Sequence, residues 1–471
     1  MMEKLKLYGM KAMLLLCLFV CICSSCDPKD YKEELTPLQQ ANSFVYNYNE
    51  LYYLWNDKVN YNFDYKNQTD PFALFDRLIY KELDQWSYLT DDAQSLFEGY
   101  EGVETTYGYR LTVIYFQQLN EYAALVDFVY PGSPAERAGI KRGDLIYLID
   151  GSPITESNYM NLYYSSATLL ELGTFDTKTG KLSQTGTTFY MNAVKMEIDP
   201  VIAYRIIEDG NHKIGYICYT DYVVSSHAKL NRICDEFKSK GVTDIVLDLR
   251  YNLGGAAVSS AYVSSLFAPK ANVSKGDIFL REIWNDQLTQ YWKNNKEELI
   301  QTFDNSALTH NLNLDRIFIL TTSSTASASE ATIVGLKPYM DVVTIGEKTH
   351  GKYCAALLLQ PVDKDGELLP DIYNWAMSLV AYKFANKDGF TDFTGGLEPT
   401  YTVEDNILNV FPFGDTSDPA LAKAIETITG RKASTVQTCS PYAKSDSSYG
   451  VDSHTTRRLN GNRGGMVIIR D

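Results

Sequence analysis

Three short runs in the second half of the chain hold residue types that can do acyl-transfer chemistry if folding brings them together. Residues 244–255 read DIVLDLRYNLGG, a strand-like stretch followed by Gly254 and Gly255. Paired glycines after a strand let main-chain N–H groups turn toward a ligand. Such groups hold the oxygen of a tetrahedral intermediate, although the same pair also serves as a plain strand-to-helix turn. Asp248 and Arg250 are spaced to pair and hold that loop. Residues 316–330 read RIFILT and then TSSTASASE. A serine at the first turn of a helix sits among unpaired N–H groups at the positive end of the helix dipole, a good place for a nucleophile. N-capping is the ordinary use of Ser and Thr there. Residues 342–352 read VVTIGEKTHGK, a strand and then a loop with two glycines, His350 and Lys352. A lysine serves as general base when desolvation pulls its pKa well below the ordinary ~10.4. Otherwise a loop lysine is a solvated charge.

These runs need a frame. Strand-like 214–219, helical 228–240, strand-like 244–249 and a helix from about 256 alternate, which argues α/β for residues 197–430. The stretch 280–310 is charged and reads as a helical insertion that lines or covers a cleft, and 416–429 reads as a closing amphipathic helix. Residues 37–104 read as a helical region, with Phe44, Tyr48, Leu51, Tyr52 and Trp55 at helical spacing and Pro71 at a helix start.

Residues 105–195 are β-rich. Runs at 111–116 and 124–129 precede PGSPAERAGIKRGDLIYLIDG at 131–151, and a turn-rich hairpin spans 170–190. The 131–151 run resembles a PDZ domain closely. PDZ domains bind a C-terminal peptide as an added strand, its carboxylate held by main-chain N–H groups. The resemblance places that loop at residues 107–111, with Gly108, Tyr109 and Leu111 as the peptide-binding residues. The loop departs from the Gly-Leu-Gly-Phe pattern usual in that family.

The chain opens with Lys4, Lys6 and Lys11, an apolar run over 12–23, and Ser24-Ser25-Cys26. This is the pattern of a secretory signal, too short for a comfortable membrane span. Cys26 resembles the lipidated cysteine of a bacterial lipoprotein lipobox, with Cys23 where Leu is usual. That reading makes residues 1–26 a signal peptide and anchors the mature chain by lipid at the periplasmic face or the cell surface. Cys218, Cys234, Cys354 and Cys439 remain, widely spaced and without a CxxC pair, which argues against a zinc site. The 471 residues allow roughly three domains. With 43 Lys and Arg against 59 Asp and Glu, the net charge of −16 argues against a nucleic-acid partner. Hydrophobic residues at 45% exclude a wholly disordered chain, while 431–471, rich in Ser, Thr and Gly, reads as a low-complexity tail.

Together the three runs resemble the C-terminal processing peptidases, or tail-specific proteases, which are serine–lysine endopeptidases. The family motifs stand here as TASASE, GEKTHGK, DLRYNLGG and GLEP at 396–399, and residues 84–89 resemble the end of the family's N-terminal helical region. The resemblance covers about residues 40–430. It implies an α/β core of the crotonase/ClpP-like kind, with an inserted β-rich PDZ domain and an N-terminal helical region. It implies Ser327 as nucleophile and Lys352, 25 residues later, as base, with an acyl-enzyme intermediate. The N–H groups of Gly254, Gly255 and Ser327 are then the oxyanion hole. Protein or peptide C-termini are the implied substrates, presented by the PDZ domain, and neither a metal nor an organic cofactor is needed. Two positions depart from the family. Ala356 stands where a glutamine orients the lysine, and Tyr353 where a glycine is usual. Gln360 or a hydroxyl is then the expected orienting group, with His350 as the alternative base. Two other functions fit the same residues: a catalytically weak or inactive peptide-binding lipoprotein, favoured by Ala356, and an envelope scaffold that uses a surface rich in the chain's 35 tyrosines.

Overall fold

A computed structural model describes residues 35–116, 119–176, 178–406, 408–431 and 467–468. The signal segment 1–26 with Cys26, the cysteine Cys439 and nearly all of the 431–471 tail lie outside the described residues. Among the described residues no helix is long and apolar enough to cross a membrane.

The first helix, Pro37–Tyr52, starts where local chemistry dictates. Thr36 and Gln39 exchange reciprocal side-chain bonds to each other's N–H, and Pro37 needs no partner at the first helical position. Its apolar face, with Phe44 and Val45, packs with Leu74, Phe75 and Leu78 around the helix Pro71–Arg77, and against Met377, Leu379 and Val380. The expected helical region is not wholly helical: Tyr88–Thr90 is a strand, antiparallel to Ala376–Ala385. Helix Ala93–Glu101 follows and ends at Gly102, whose φ of +82° suits glycine.

The chain enters and leaves the β-rich unit through one two-stranded ribbon, Val103–Thr106 paired with Val194–Glu197. Between them, strands Tyr109–Phe116, Glu121–Val129, Leu145–Ile149, Ala167–Asp176 and Lys181–Asn192 lie in that order in one sheet. The short helix Pro134–Ala138 falls in the PGSPAERAG run, capped by Ser133. The turn-rich 170–190 stretch is the long hairpin that completes this sheet.

The α/β unit is built on a sheet ordered Val201–Asp209, His212–Tyr219, Asp244–Asp248, Arg316–Thr321, Asp341–Gly346, Tyr401–Thr402. Only the first pair is antiparallel. Parallel strands need crossovers, and these put helices on the sheet faces. Helices His227–Lys240, Ala257–Phe267 and Ala328–Leu336 share one core with Leu247 and Ile319. Helix Pro419–Thr429, capped by Asp418, closes the opposite face over Val246 and Leu320. Every residue of Asp244–Asp248 is buried, as a strand covered on both faces must be.

The segment 280–310 differs from expectation. Ile278–Trp284 is a strand of a second sheet, ordered Ile300–Thr302, Ile278–Trp284, Ala376–Ala385, Cys354–Leu359. Helix Asp286–Asn294 is only part of the segment. Phe279, Leu280 and Trp284 are drawn into the main core, and that burial overrides the charged surroundings. At the other end of the chain, Val467–Ile468 pairs in parallel with the Cys354–Leu359 strand, a β contact within the expected low-complexity tail.

Candidate active site

Because Asp244–Asp248 and Arg316–Thr321 run parallel as neighbours, the loops that follow them leave the same sheet edge side by side. This is where open α/β sheets place their sites. The first loop is pinned by Arg250. Its guanidinium meets Asp248 at 2.8 Å, Asp418 at 2.8 Å and Asp405 at 3.2 Å. Burial pushes the Asp248 carboxyl up, but the Arg250 charge and the Tyr216 hydroxyl outweigh it and hold the group below its ordinary value. The expected Asp248–Arg250 pair is therefore present, with two further carboxylates. Across the gap, Thr325 Oγ1 donates to Leu249 O at 2.9 Å, Ala326 N–H to Asn252 O at 3.1 Å, and Ser329 Oγ to the same carbonyl at 3.1 Å. Ser329 is thus occupied in stitching the two loops together.

Gly254 and Gly255 have φ of +116° and +135°, conformations that side chains rarely adopt. A Cβ on Gly254 would stand 3.0 Å from Ser327 Cβ, and one on Gly255 would stand 2.5 Å from Tyr222 O. The glycines let this turn lie directly on the serine. Ser327 is fully buried and precedes helix Ala328–Leu336 with φ +56° and ψ −109°. For a non-glycine residue that is a strained backbone of the kind found at nucleophile turns.

The expected oxyanion hole requires correction. Ser327 N–H donates to Glu330 Oε2 at 2.8 Å, and Gly254 N–H donates to Asn252 Oδ1 at 2.8 Å. Both donors are spent within the loops. Gly255 N–H and Ala328 N–H make no hydrogen bond among the described residues, and Ala328 N lies 3.1 Å from the Cβ position of Gly254.

Glu330 organises the third run. Its Oε1 accepts from Thr349 Oγ1 at 2.5 Å and Gly351 N–H at 2.7 Å. Its Oε2 accepts from Ser327 N–H and from Lys352 N–H at 2.9 Å. Burial pushes this carboxyl up to about 7 against the pull of those four donors. Lys352 is buried as well, and burial is the main cause that lowers its amine. Cys354, Asp84 and Glu330 pull back the other way. The Lys352 Nζ lies 5.5 Å from the centre of the Trp86 ring, and the His350 ring packs edge-on against the same indole at 6.5 Å. The loop that carries Lys352 thus faces the N-terminal region as well as the helix.

Gln360 is not the orienting group. It lies beyond the far end of Cys354–Leu359, and its amide donates to Tyr373 O at 3.2 Å. Ala356 is buried in a small cluster with Ala93, Leu96, Leu358 and Ala376. In the β-rich unit, the Gly108 Cβ position falls 2.0 Å from Ser133 Cβ, so only glycine fits there. Tyr109 and Leu111 are buried on the outermost strand of that sheet. The Tyr109 hydroxyl donates to Leu162 O at 2.6 Å, and the Tyr163 hydroxyl donates to Leu111 O at 3.1 Å.

Sequence reasoning assigned no role to Glu330, Ala328, Asn252, Asp84 or Trp86. The Ser-x-x-Glu spacing of 327–330 is a capping-box signal that points to Glu330. The 84–89 run stands out in the sequence, but nothing local ties Asp84 or Trp86 to Lys352, more than 260 residues further along the chain.

Residues 213–403 match the model of peptidase family S41, residues 40–88 the peptidase S41 N-terminal domain, and residues 125–161 a PDZ domain. A carboxyl-terminal-processing protease of Picosynechococcus sp. is 26% identical over 256 residues, 54% of this chain and 54% of that protein. The carboxy-terminal processing protease CtpA of Bacillus subtilis is 29% identical over 223 residues, 47% of this chain and 42% of that protein. The chain thus spans about half the length of these curated relatives. The crystal structure of a Bacteroides fragilis protein assigned to the S41 proteases superposes with a TM-score of 0.66 at 25% identity, covering 86% of this chain and 99% of that one. Three family models thus match in order along one fold: the chain carries an S41 N-terminal domain, a PDZ domain and a peptidase family S41 region over residues 213–403.

Proposed function

We propose that this chain is a serine endopeptidase of the bacterial cell envelope, held by a lipid on Cys26, that cleaves proteins or peptides selected by their C-terminal tails. The observation that carries the reading is the single carboxylate of Glu330, which accepts the main-chain N–H of both Ser327 and Lys352 in a buried site. In this reading Lys352, whose ammonium form burial disfavours, takes the Ser327 hydroxyl proton as the oxygen attacks the scissile carbonyl. The N–H groups of Gly255 and Ala328 hold the oxyanion. The Lys352 ammonium then gives its proton to the leaving amine as the acyl-enzyme forms. A water, deprotonated by Lys352, next attacks the acyl carbon and releases Ser327. The PDZ unit presents the substrate tail at the outer edge of its sheet.

The test uses the soluble form that lacks residues 1–26, mixed with an unfolded protein ending in apolar residues and followed on gels. Cleavage by wild type but by neither Ser327→Ala nor Lys352→Ala is expected. Binding of the tail without cleavage by any form would overturn the peptidase reading in favour of a peptide-binding protein.

A further inference from the structure

Ala356 cannot hydrogen-bond through its side chain, so it does not orient Lys352. Along Cys354–Leu359 the side chains alternate between two faces. Ala355 and Leu357 join the main core, while Cys354, Ala356 and Leu358 pack against the N-terminal region. Lys352 precedes that strand by two residues, and Trp86 of the N-terminal region lies beside its Nζ. The charged and titratable groups that bear on Lys352 are Glu330, Cys354 and Asp84. Glu330 already accepts four hydrogen bonds, two on each oxygen, which fills its lone-pair sites. Cys354 is a buried thiol that burial keeps protonated.

Asp84 differs from both. It is 4% exposed. Its Oδ1 accepts the N–H groups of Trp86 and Ser87, each at 2.9 Å, which fixes the turn carrying the indole. Its Oδ2 is buried and makes no hydrogen bond among the described residues. A buried carboxylate oxygen left in this state is costly and calls for an explanation. Tyr53, Tyr353 and Cys354 are the titratable groups that feel its charge, and the Tyr53 hydroxyl, which accepts Tyr80 N–H at 3.0 Å, also bears on the Asp84 carboxyl as a hydrogen-bonding neighbour. The turn is also tied to the strand network: Ser87 Oγ accepts Val380 N–H at 2.9 Å, and Val380 is the register partner of Ala356.

We propose, on the serine–lysine reading above, that Asp84 is the positioning residue of Lys352, its unpartnered Oδ2 receiving the ammonium that Lys352 becomes on taking the Ser327 proton. Asp84 then does for Lys352 what a buried aspartate does for a catalytic histidine. It holds the base in place and stabilises its charged form.

Asp84→Asn separates this role from a structural one, because the amide keeps an oxygen for the Trp86 and Ser87 N–H groups and loses only the charge. Two readouts are taken on the soluble form lacking residues 1–26. The first is the titration of Lys352 by NMR of ε-13C-lysine-labelled protein, its signal assigned by loss in Lys352→Met. The second is the pH profile of cleavage. The Lys352 midpoint is expected to fall by about one pH unit in Asp84→Asn, to return in Asp84→Glu, and to carry the acid limb of the rate profile down with it. The plateau rate is expected to fall at least about tenfold while KM stays. If Asp84→Asn does not fold, Asp84→Ser, which also keeps an oxygen for the turn, carries the same expectations. An unmoved midpoint overturns the proposal whether or not the wild type cleaves. A moved midpoint in a protein that cleaves nothing supports the Asp84–Lys352 pairing and removes the peptidase reading alone.

Discussion

Ser327 and Lys352 donate their main-chain N–H groups to the same oxygen, Oε2 of Glu330, at 2.8 and 2.9 Å. Two loops that leave different strands are thereby set to one carboxylate. The positions of these two residues cannot drift independently while Glu330 keeps both bonds.

Glu330→Gln tests that coupling. An amide offers one acceptor oxygen where four donors converge, and its NH2 faces N–H groups. Loss of about 2 kcal/mol is expected, read as a fall of roughly 4–8 °C in Tm. Cleavage should drop about a hundredfold through misplacement. The pH dependence has a definite sign. The Glu330 carboxyl is raised to about 7 in the fold, so its stabilising share is complete below its ordinary value of 4.5 and is lost as pH rises through about 7. Denaturant titrations across that window should show this decline in wild type and not in Glu330→Gln.

Lys352→Met should abolish cleavage and raise stability at neutral pH. Burial lowers the Lys352 amine below its ordinary 10.5. Its stabilising share is therefore complete above 10.5 and is lost as pH falls through the lowered value, where an ammonium is forced into a buried site. Methionine keeps the volume and carries no charge. Its advantage, about 1 kcal/mol or a few degrees in Tm at pH 7, should shrink as pH approaches 10.5. Equal stability of the two proteins at pH 7 would contradict it.

Ala356→Gln should not rescue or improve activity. The site is packed by Ala93, Leu96, Leu358 and Ala376, so helix Ala93–Glu101 occupies the space a longer side chain needs. Overpacking should cost about 1–3 kcal/mol. A variant more active than wild type and equally stable would show that the position still accepts an orienting amide.

Arg142→Ala should weaken the link between the PDZ unit and the glycine turn. The Arg142 guanidinium donates to Tyr251 Oη at 2.8 Å and to Phe411 O at 2.9 Å, and stacks over the Tyr251 and Phe413 rings. Tyr251 adjoins Arg250 in the loop that leads to Gly254 and Gly255. Faster hydrogen exchange at 250–256 is expected, with cleavage reduced about tenfold and folding retained. Unchanged exchange there would mean that the PDZ contact does not stiffen the loop.

The sequence by itself determined the elements whose causes are local. The proline and capping residues start the helices at 37, 71, 134 and 419, and the runs at 244–249 and 316–321, apolar throughout 245–247 and 317–320, become buried parallel strands. The spacing of Ser327, Lys352 and the paired glycines was legible because each sits just after a strand, where motif and turn chemistry coincide. Three things only the tertiary structure decided. It drew the charged-looking stretch at 278–284 into a sheet, because Phe279, Leu280 and Trp284 gain more from core burial than the neighbouring charges lose. It spent the Ser327 and Gly254 N–H groups on Glu330 and Asn252, while those of Gly255 and Ala328 make no hydrogen bond among the described residues. It also brought Asp84 and Trp86 to Lys352 through strands that pair residues nearly 300 positions apart. Periodicity and capping act within a few residues of chain, whereas donor satisfaction and charge pairing depend on what the fold packs alongside.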